Sequence, residues 1–500
     1  VKAHHFVATL SCLLVLLAPI CLLPASTAAA AEPSSPAMYW SAGRQAPHPE
    51  ATITVTTTTD ELNSDGDCSL REAIQAANSD LLVDACPAGG AADTIVVPTG
   101  TYILTLTGAG EDSNLTGDLD VLNSVVISGA GVGATIVNGN ATDRVFDIRA
   151  GVVEISGMTI QNGRATHGGG VNNNATLTLN LVIITGNVAQ GPAGANSSSS
   201  PGGGGGGFGG GIYNLAGLAI AASTLSNNQA TGGNGGNSSP SGWAGGGGGG
   251  AGMGGAIFNA DYGTITIAGS TVSSNTARGG DGGVGDCSGG GGGGLGGAIF
   301  NGYASIVIAH NSTFSGNTAA GGYSPEGTGG GASGTGANGG FGQGGAGAHF
   351  GGNGGFGGGG GGGGGMGGTG GDGGFAGGGG GGPFSAGGIG GTGGGNGSDD
   401  GGGGGGLAGA IFNYDQFQVA EIDLSHSTVA TNQAQRGLCG PWANAGSSYG
   451  GGIYDPYGIV SLKSTVVAQN SVTNNHPDIS GVVASAGYNL VGNSSGGSGF

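Results

Sequence analysis

Glu421 and Asp423 stand two residues apart in a stretch where apolar and polar residues alternate. On a strand, that spacing puts both carboxylates on one face. Paired carboxylates on one face are what a general acid and base acting across a glycosidic bond would need. The same spacing also describes a solvated strand face, which is the expectation here. Asp143, Arg144, Asp147 and Arg149 form a second charged group. Carboxylates with an arginine could serve a calcium-assisted lyase, but no further acid cluster stands close in sequence, so a salt-bridged rim is expected. Asp399-Asp400 lies in a glycine run and reads as loop solubility. Gly282-Gly283-Val284-Gly285-Asp286 falls one residue short of the calcium-binding nonapeptide and stands alone. Glu154, Asp261, Asp415 and Asp455 are scattered, no H-E-x-x-H pair occurs, and the histidines are dispersed. The residues therefore give no catalytic group, no metal ligand and no cofactor site.

The elements that would have to position such groups come from a repeat. Its cleanest copy runs from Gly296 to Asn317, opening on Gly-Gly-Ala-Ile-Phe-Asn and closing on Phe-Ser-Gly-Asn. Between these, Ile306 and Ile308 alternate with small or polar neighbours, a strand signal. Related copies carry the first asparagine at Asn172, Asn214, Asn259 and Asn413, with Asp455 in the last. Second polar stops follow at Asn187, Asn228, Asn275, Asn317, Asn432 and Asn470. Only Arg164 to His167 separate one unit from the next at the shortest link, so one coil needs about 24 residues. That is the size of a rung in a single-stranded right-handed parallel β-helix, an all-β solenoid. Stacking predicts that Asn172, Asn214, Asn259, Asn301 and Asn413 form one amide ladder along a corner. Ile257, Ile299 and Ile411 should form an apolar line inside.

Composition narrows the class. Glycine is 129 of 500 residues with no G-X-Y period, which excludes collagen. The net charge is −20 with nine Lys plus Arg, which excludes a nucleic-acid partner. Lys2 precedes an apolar run from Phe6 to Leu23 and small residues up to Ala31, so residues 1–31 read as an export signal and 32–50 as a linker. No other stretch could span a membrane as a helix. Residues 51–115 open the solenoid, and 116–495 carry its repeats. Ser69 and Glu72 have capping-box spacing, predicting a short helix that lids the apolar end of the coil. Cys68 and Cys86 flank it and, in an exported chain, are expected to form a disulfide. The alternative is two free thiols. Cys287 and Cys439 either pair or stay free.

Cys-Ser-Leu-Arg-Glu-Ala-Ile at 68–74, followed by Ala76-Ala77-Asn78, resembles the CSLREA domain of secreted bacterial proteins. Gly117-Asp118-Leu119-Asp120 and Asp143-Arg144-Val145-Phe146-Asp147 agree with it. Gly254–Ile257, Gly296–Ile299 and Phe314–Asn317 resemble polymorphic outer membrane protein repeats, and 478–491 resembles the end of the choice-of-anchor Q β-helix. These resemblances imply exported β-helix proteins of the cell surface, and no activity. The expectation is a secreted or surface structural, adhesin-like protein that meets surface glycans or other extracellular macromolecules and is not an enzyme. The alternative is a carbohydrate-active enzyme, a polysaccharide lyase or glycoside hydrolase.

Five inserts, about 190–208, 231–253, 279–295, 319–407 and 433–449, leave the repeat at the same place and are expected to form a one-sided fringe. They read as flexible, solvated linker. Alternatives are extended polyglycine layers with phenylalanine contacts, or a binding fringe. As linker, 319–407 should be removable without loss of the solenoid.

Overall fold

A computed structural model describes residues 51–238, 244–328, 334–365, 367–414, 420–473 and 476–500. The signal and linker readings, and Asp415, lie outside the described residues. No described helix is long and apolar enough to cross a membrane.

The described chain is a right-handed parallel β-helix. Strands from successive coils pair in register, so that Ile212, Ile257, Ile299, Ile411 and Ile453 lie side by side. All five are fully buried in one continuous core. Period-two alternation explains this, because each coil turns one residue in two inward.

The N-terminal end of that core is covered by helix α1, Leu70–Ser79. Ser69 caps it and Glu72 closes the capping box. The Glu72 carboxylate accepts from the Ser69 and Asn63 amides, each at 2.9 Å. Leu70, Ala73, Ile74 and Ala77 join the solenoid core. Arg71 is fully buried, paired with Asp60 at 2.7 Å and donating to the Gly117 and Asp118 carbonyls at 2.8 and 2.9 Å. Cys68 and Cys86 are disulfide-bonded with Cα atoms 5.0 Å apart, while Cys287 and Cys439 are free.

Two amide ladders run along the coil. In the first, each side-chain amide donates to the next oxygen: Asn173 to Asn214 (2.7 Å), Asn214 to Asn259 (2.7 Å), Asn259 to Asn301 (2.8 Å) and Asn301 to Asn413 (2.8 Å). The expected first member, Asn172, is not in it. Val171 pairs with Ile212, so Asn173 falls beside Asn214 and Asn172 beside Tyr213 on the opposite face. Asn172 instead donates to Asp147 at 2.7 Å. The second ladder joins Asn187, Asn228, Asn275, Asn317, Asn432 and Asn470 at 2.9–3.0 Å per step. The ladders end on Asp455 and Asp478, which accept from Asn413 and Asn470 at 3.1 and 2.8 Å.

The solvated-linker reading of the inserts is corrected by the structure. Their glycine runs pack side by side as rods of both chain directions, each hydrogen-bonded to its neighbours with a step of three residues. Gly246, Gly249 and Gly252 donate to Cys287, Gly290 and Gly293; Gly247 and Gly250 donate to Gly236 and Gly233; Gly248 and Ala251 donate to Gly345 and Gly342. The same rod accepts from Gly204 and Gly207, from Gly280 and Gly283, and from Gly359 and Gly362. Three residues per turn is the polyproline II repeat. Here its backbone groups, which water would otherwise solvate, bond to surrounding rods. At the rod positions enclosed by other rods only glycine fits, because a Cβ would strike a neighbouring carbonyl oxygen, that of Gly359 in the case of Gly248.

A second core lies between bundle and coil. Tyr213, Phe258, Phe300 and Phe412 stack in register with centroids 5.1, 4.8 and 5.3 Å apart. Phe341, Phe356 and Phe375 form a second column at 5.2 Å spacing. Phe356 packs against Phe300 and Phe375 against Phe412. The insert 319–407 thus contributes apolar core, and its removal would uncover Phe300 and Phe412, which are at most 1% exposed. The expectation that it is dispensable is not retained.

Candidate functional site

The strands Leu119–Val121, Phe146–Ile148 and Val171–Asn173 are neighbours in successive coils. Their inward residues are Leu119, Val121, Phe146, Ile148 and Val171, which fixes what points the other way. Asp120, Asp147 and Asn172 lie one above another, and Tyr213 and Phe258 continue the same column. The column therefore changes from acidic to aromatic along the solenoid. The change falls where the first glycine insert leaves the coil, and a cleft of about 1260 Å³ opens beside it. Asp143, Arg144, Arg164, His167, Asn172, Tyr213 and Arg278 line the cleft.

The group expected to be a salt-bridged rim is more deeply placed than that. Arg144 pairs with Asp118 at 2.5 Å and lies 3.9 Å from Asp147, while Arg149 bridges Asp112 and Asp147 at 2.7 and 3.1 Å. Asp118, Asp120, Asp143 and Asp147 are all buried. Five aspartates thus face two arginines. Burial, reinforced by neighbouring carboxylates, pushes Asp118 up to about 8 despite the Arg144 guanidinium, and Asp120 up to about 6. Burial also raises Asp143. His167 moves the other way, held down by burial and then by Arg144. Asp112, Asp120 and Asp147 bring carboxylate oxygens within 4.8 Å of one another, close enough to share a divalent cation. The positive charge beside them is Arg149.

The Asp118 shift has a direction that can be measured. The folded chain keeps a proton on Asp118 that the unfolded chain, with an ordinary aspartate near 3.8, has released. Folding stability from this group is complete below about pH 4 and declines as pH rises toward 8, because the cost of burying its charge outweighs the pairing with Arg144. Thermal melts at constant salt should show a midpoint that falls across that range, and Asp118→Asn should flatten the fall. A variant whose slope matches the parent would refute the assignment.

The other sequence candidates lie apart. Glu421 and Asp423 occupy the outer face of the strand Glu421–Ser425, away from the cleft. Asp261 accepts from the Tyr303 amide at 3.0 Å. Asp399 and Asp400 line a separate hollow. Asp118 and Asp120 stand in the sequence only as part of the motif Gly117-Asp118-Leu119-Asp120, with no site role, and Arg164, His167, Tyr213 and Arg278 carry no site reading there, because they come from different coils and share no local motif. The one available signal was the scarcity of basic residues.

No protein-family model and no curated protein matches the chain. Among solved structures it is similar to the pectate lyase Pel9A at 10% identity, over 90% of this chain and 79% of that one, with a TM-score of 0.35. It is similar to the mannuronan C-5 epimerase AlgE6 A-module of Azotobacter vinelandii at 13% identity, over 88% and 96% of the two chains, TM-score 0.26. A mannuronic acid specific polysaccharide family 6 lyase from human gut microbiota matches at 10% identity, over 89% and 87%, TM-score 0.21. The expectation that the chain is not an enzyme is not retained: the structures it is similar to are polysaccharide lyases and an epimerase, a likeness of fold alone.

Proposed function

We propose that the cleft binds an acidic, uronate-containing polysaccharide and cleaves it by β-elimination. One observation carries the reading. Of nine Lys plus Arg, Lys2 and Arg44 lie outside the described residues, leaving seven; three of these, Arg144, Arg164 and Arg278, line this one cleft, Arg144 paired with Asp118 and Arg278 with Asp281 at 2.6 Å, so that Arg164 leads the recognition. In a chain of net charge −20, such convergence favours an anionic partner there and repels it elsewhere. Guanidinium groups pair with carboxylates in a bidentate way and neutralise them. Neutralising a uronate carboxylate makes the adjacent C5 proton removable.

His167 is the candidate base, because its lowered pKa keeps the ring unprotonated at neutral pH. It would take the C5 proton as the C4–O bond breaks. The departing oxygen would receive a proton from Asp143, whose burial favours the protonated form. The products are an unsaturated uronate end and a new reducing end. Export into an oxidising compartment belongs to the same proposal and is supported by the Cys68–Cys86 disulfide.

The test is ultraviolet absorbance of unsaturated ends released from polygalacturonate and alginate, with a neutral glucan as control. Arg164→Ala should weaken binding and flatten its salt sensitivity, because one screened charge contact is lost, and His167→Ala should lower turnover by roughly 100-fold or more. Equal release from the neutral glucan, or no unsaturated product from any uronate polymer, would overturn the reading.

A further inference from the structure

The tips of three glycine inserts converge on a second hollow of about 510 Å³, apart from the cleft. Asp286 and Cys287 come from one insert, Phe384, Asp399 and Asp400 from the longest, and Trp442 from the last. Among the described residues three carboxylates line it, and no lysine, arginine or histidine does. Asp400 is buried and holds the tips together, accepting from the Gly327 amide at 2.8 Å and the Trp442 amide at 3.3 Å. Asp286 is different. It is only 7% exposed, and one of its carboxylate oxygens has no hydrogen-bond partner. A buried acceptor without a donor is costly unless a ligand or a proton completes it; burial pushes the Asp286 carboxyl up, and a cation seated beside it would restore the charged form. Phe384 and Trp442 stand beside it with 80% and 69% of their surface exposed.

Each class of ligand meets this surface differently. Anions are excluded by the three carboxylates. A thiolate-bound metal is disfavoured, since burial and the aspartates push the Cys287 thiol up to about 12. A hydrated divalent cation would use the carboxylates but leave the two rings idle. An organic cation uses both, pairing its charge with the carboxylate and its N-alkyl groups with the ring faces.

We propose that this tip pocket binds an alkylammonium group, with Asp286 as counter-ion and Phe384 and Trp442 as the aromatic walls. The site is independent of the uronate cleft.

Calorimetric titration of the full chain with choline, and with its uncharged carbon isostere dimethylbutanol, tests the proposal. Choline should bind saturably, the isostere about tenfold more weakly or not at all. Asp286→Asn should weaken choline by about tenfold or more, and Phe384→Ala by about fivefold, with uronate cleavage unchanged in both. Phe384 is exposed, so its replacement tests the wall without disturbing a core. The proposal fails if choline shows no saturable heat, if the isostere binds equally well, if both variants bind choline like the parent, or if calcium displaces choline stoichiometrically.

Discussion

Replacing Gly248 by alanine is expected to loosen the glycine bundle around its rod, with the ladder strands of the coil the last part to yield. Gly248 sits inside a rod that contacts six others, and its added Cβ would meet the Gly359 carbonyl oxygen. Its φ lies outside the left-handed region, so the missing Cβ, rather than an unusual backbone conformation, is what the position requires. Opening the contact also strains the bonds from Gly204 to Gly248 at 2.9 Å and from Gly248 to Gly345 at 2.8 Å. Overpacking costs about 1–3 kcal/mol and each lost hydrogen bond about 1, so roughly 3–5 kcal/mol is expected. Hydrogen exchange should show bundle amides losing protection while those of the ladder strands keep theirs. Gly217→Ala is the control, because its Cβ would have nothing within 4 Å. Equal, small effects at both positions would mean that the bundle is not close-packed.

Asn259→Ala should be the most damaging single change in the coil. It removes the bonds to Asn214, Asn301 and the Gly263 carbonyl, at 2.7, 2.8 and 3.0 Å. Asn259 is fully buried, so no water replaces them. At about 1–3 kcal/mol per orphaned group, the loss is roughly 3–6 kcal/mol. Asn259→Asp should be no better at neutral pH, because a carboxylate accepts from Asn214 but faces the Asn301 oxygen with nothing to donate. Lowering the pH should rescue the aspartate variant and not the alanine one. Urea midpoints at two pH values separate the two, and identical pH responses would argue against the ladder direction.

Much of the coil was legible because side-chain period and backbone register coincide. Ile257, Ile299 and Ile411 could be aligned by their shared motif, and Ser69 and Glu72 marked the start of α1 without reference to anything distant. The slip from Asn173 to Asn172 arose where two asparagines are adjacent, since only the inward placement of Val171 decides which one enters the column. The bundle was illegible for a different reason. Its specificity lies in backbone groups meeting across large sequence separations, and glycine carries no side chain to announce the partner. A partial signal did exist in Asn338, Asn353 and Asp372, each followed by Gly-Gly-Phe. In the structure their side chains accept from the amides of Asn353, Asp372 and Ile389 at 2.7, 2.8 and 2.7 Å. The cleft was harder still, because charge convergence across coils is a property of the stack.

In both ladders every amide points the same way, with its N–H toward the next coil and its oxygen toward the previous one. Aligned amide dipoles add, as they do along an α-helix, leaving partial positive charge at the donor end. That end is where Asp455 and Asp478 sit. Each column is thus a side-chain macrodipole running beside the backbone, terminated by an anion on its positive pole. A helix satisfies the same electrostatic requirement with an acidic residue in its first turn. Here the requirement is met perpendicular to the chain, once per column, by a residue that accepts a hydrogen bond and donates none onward.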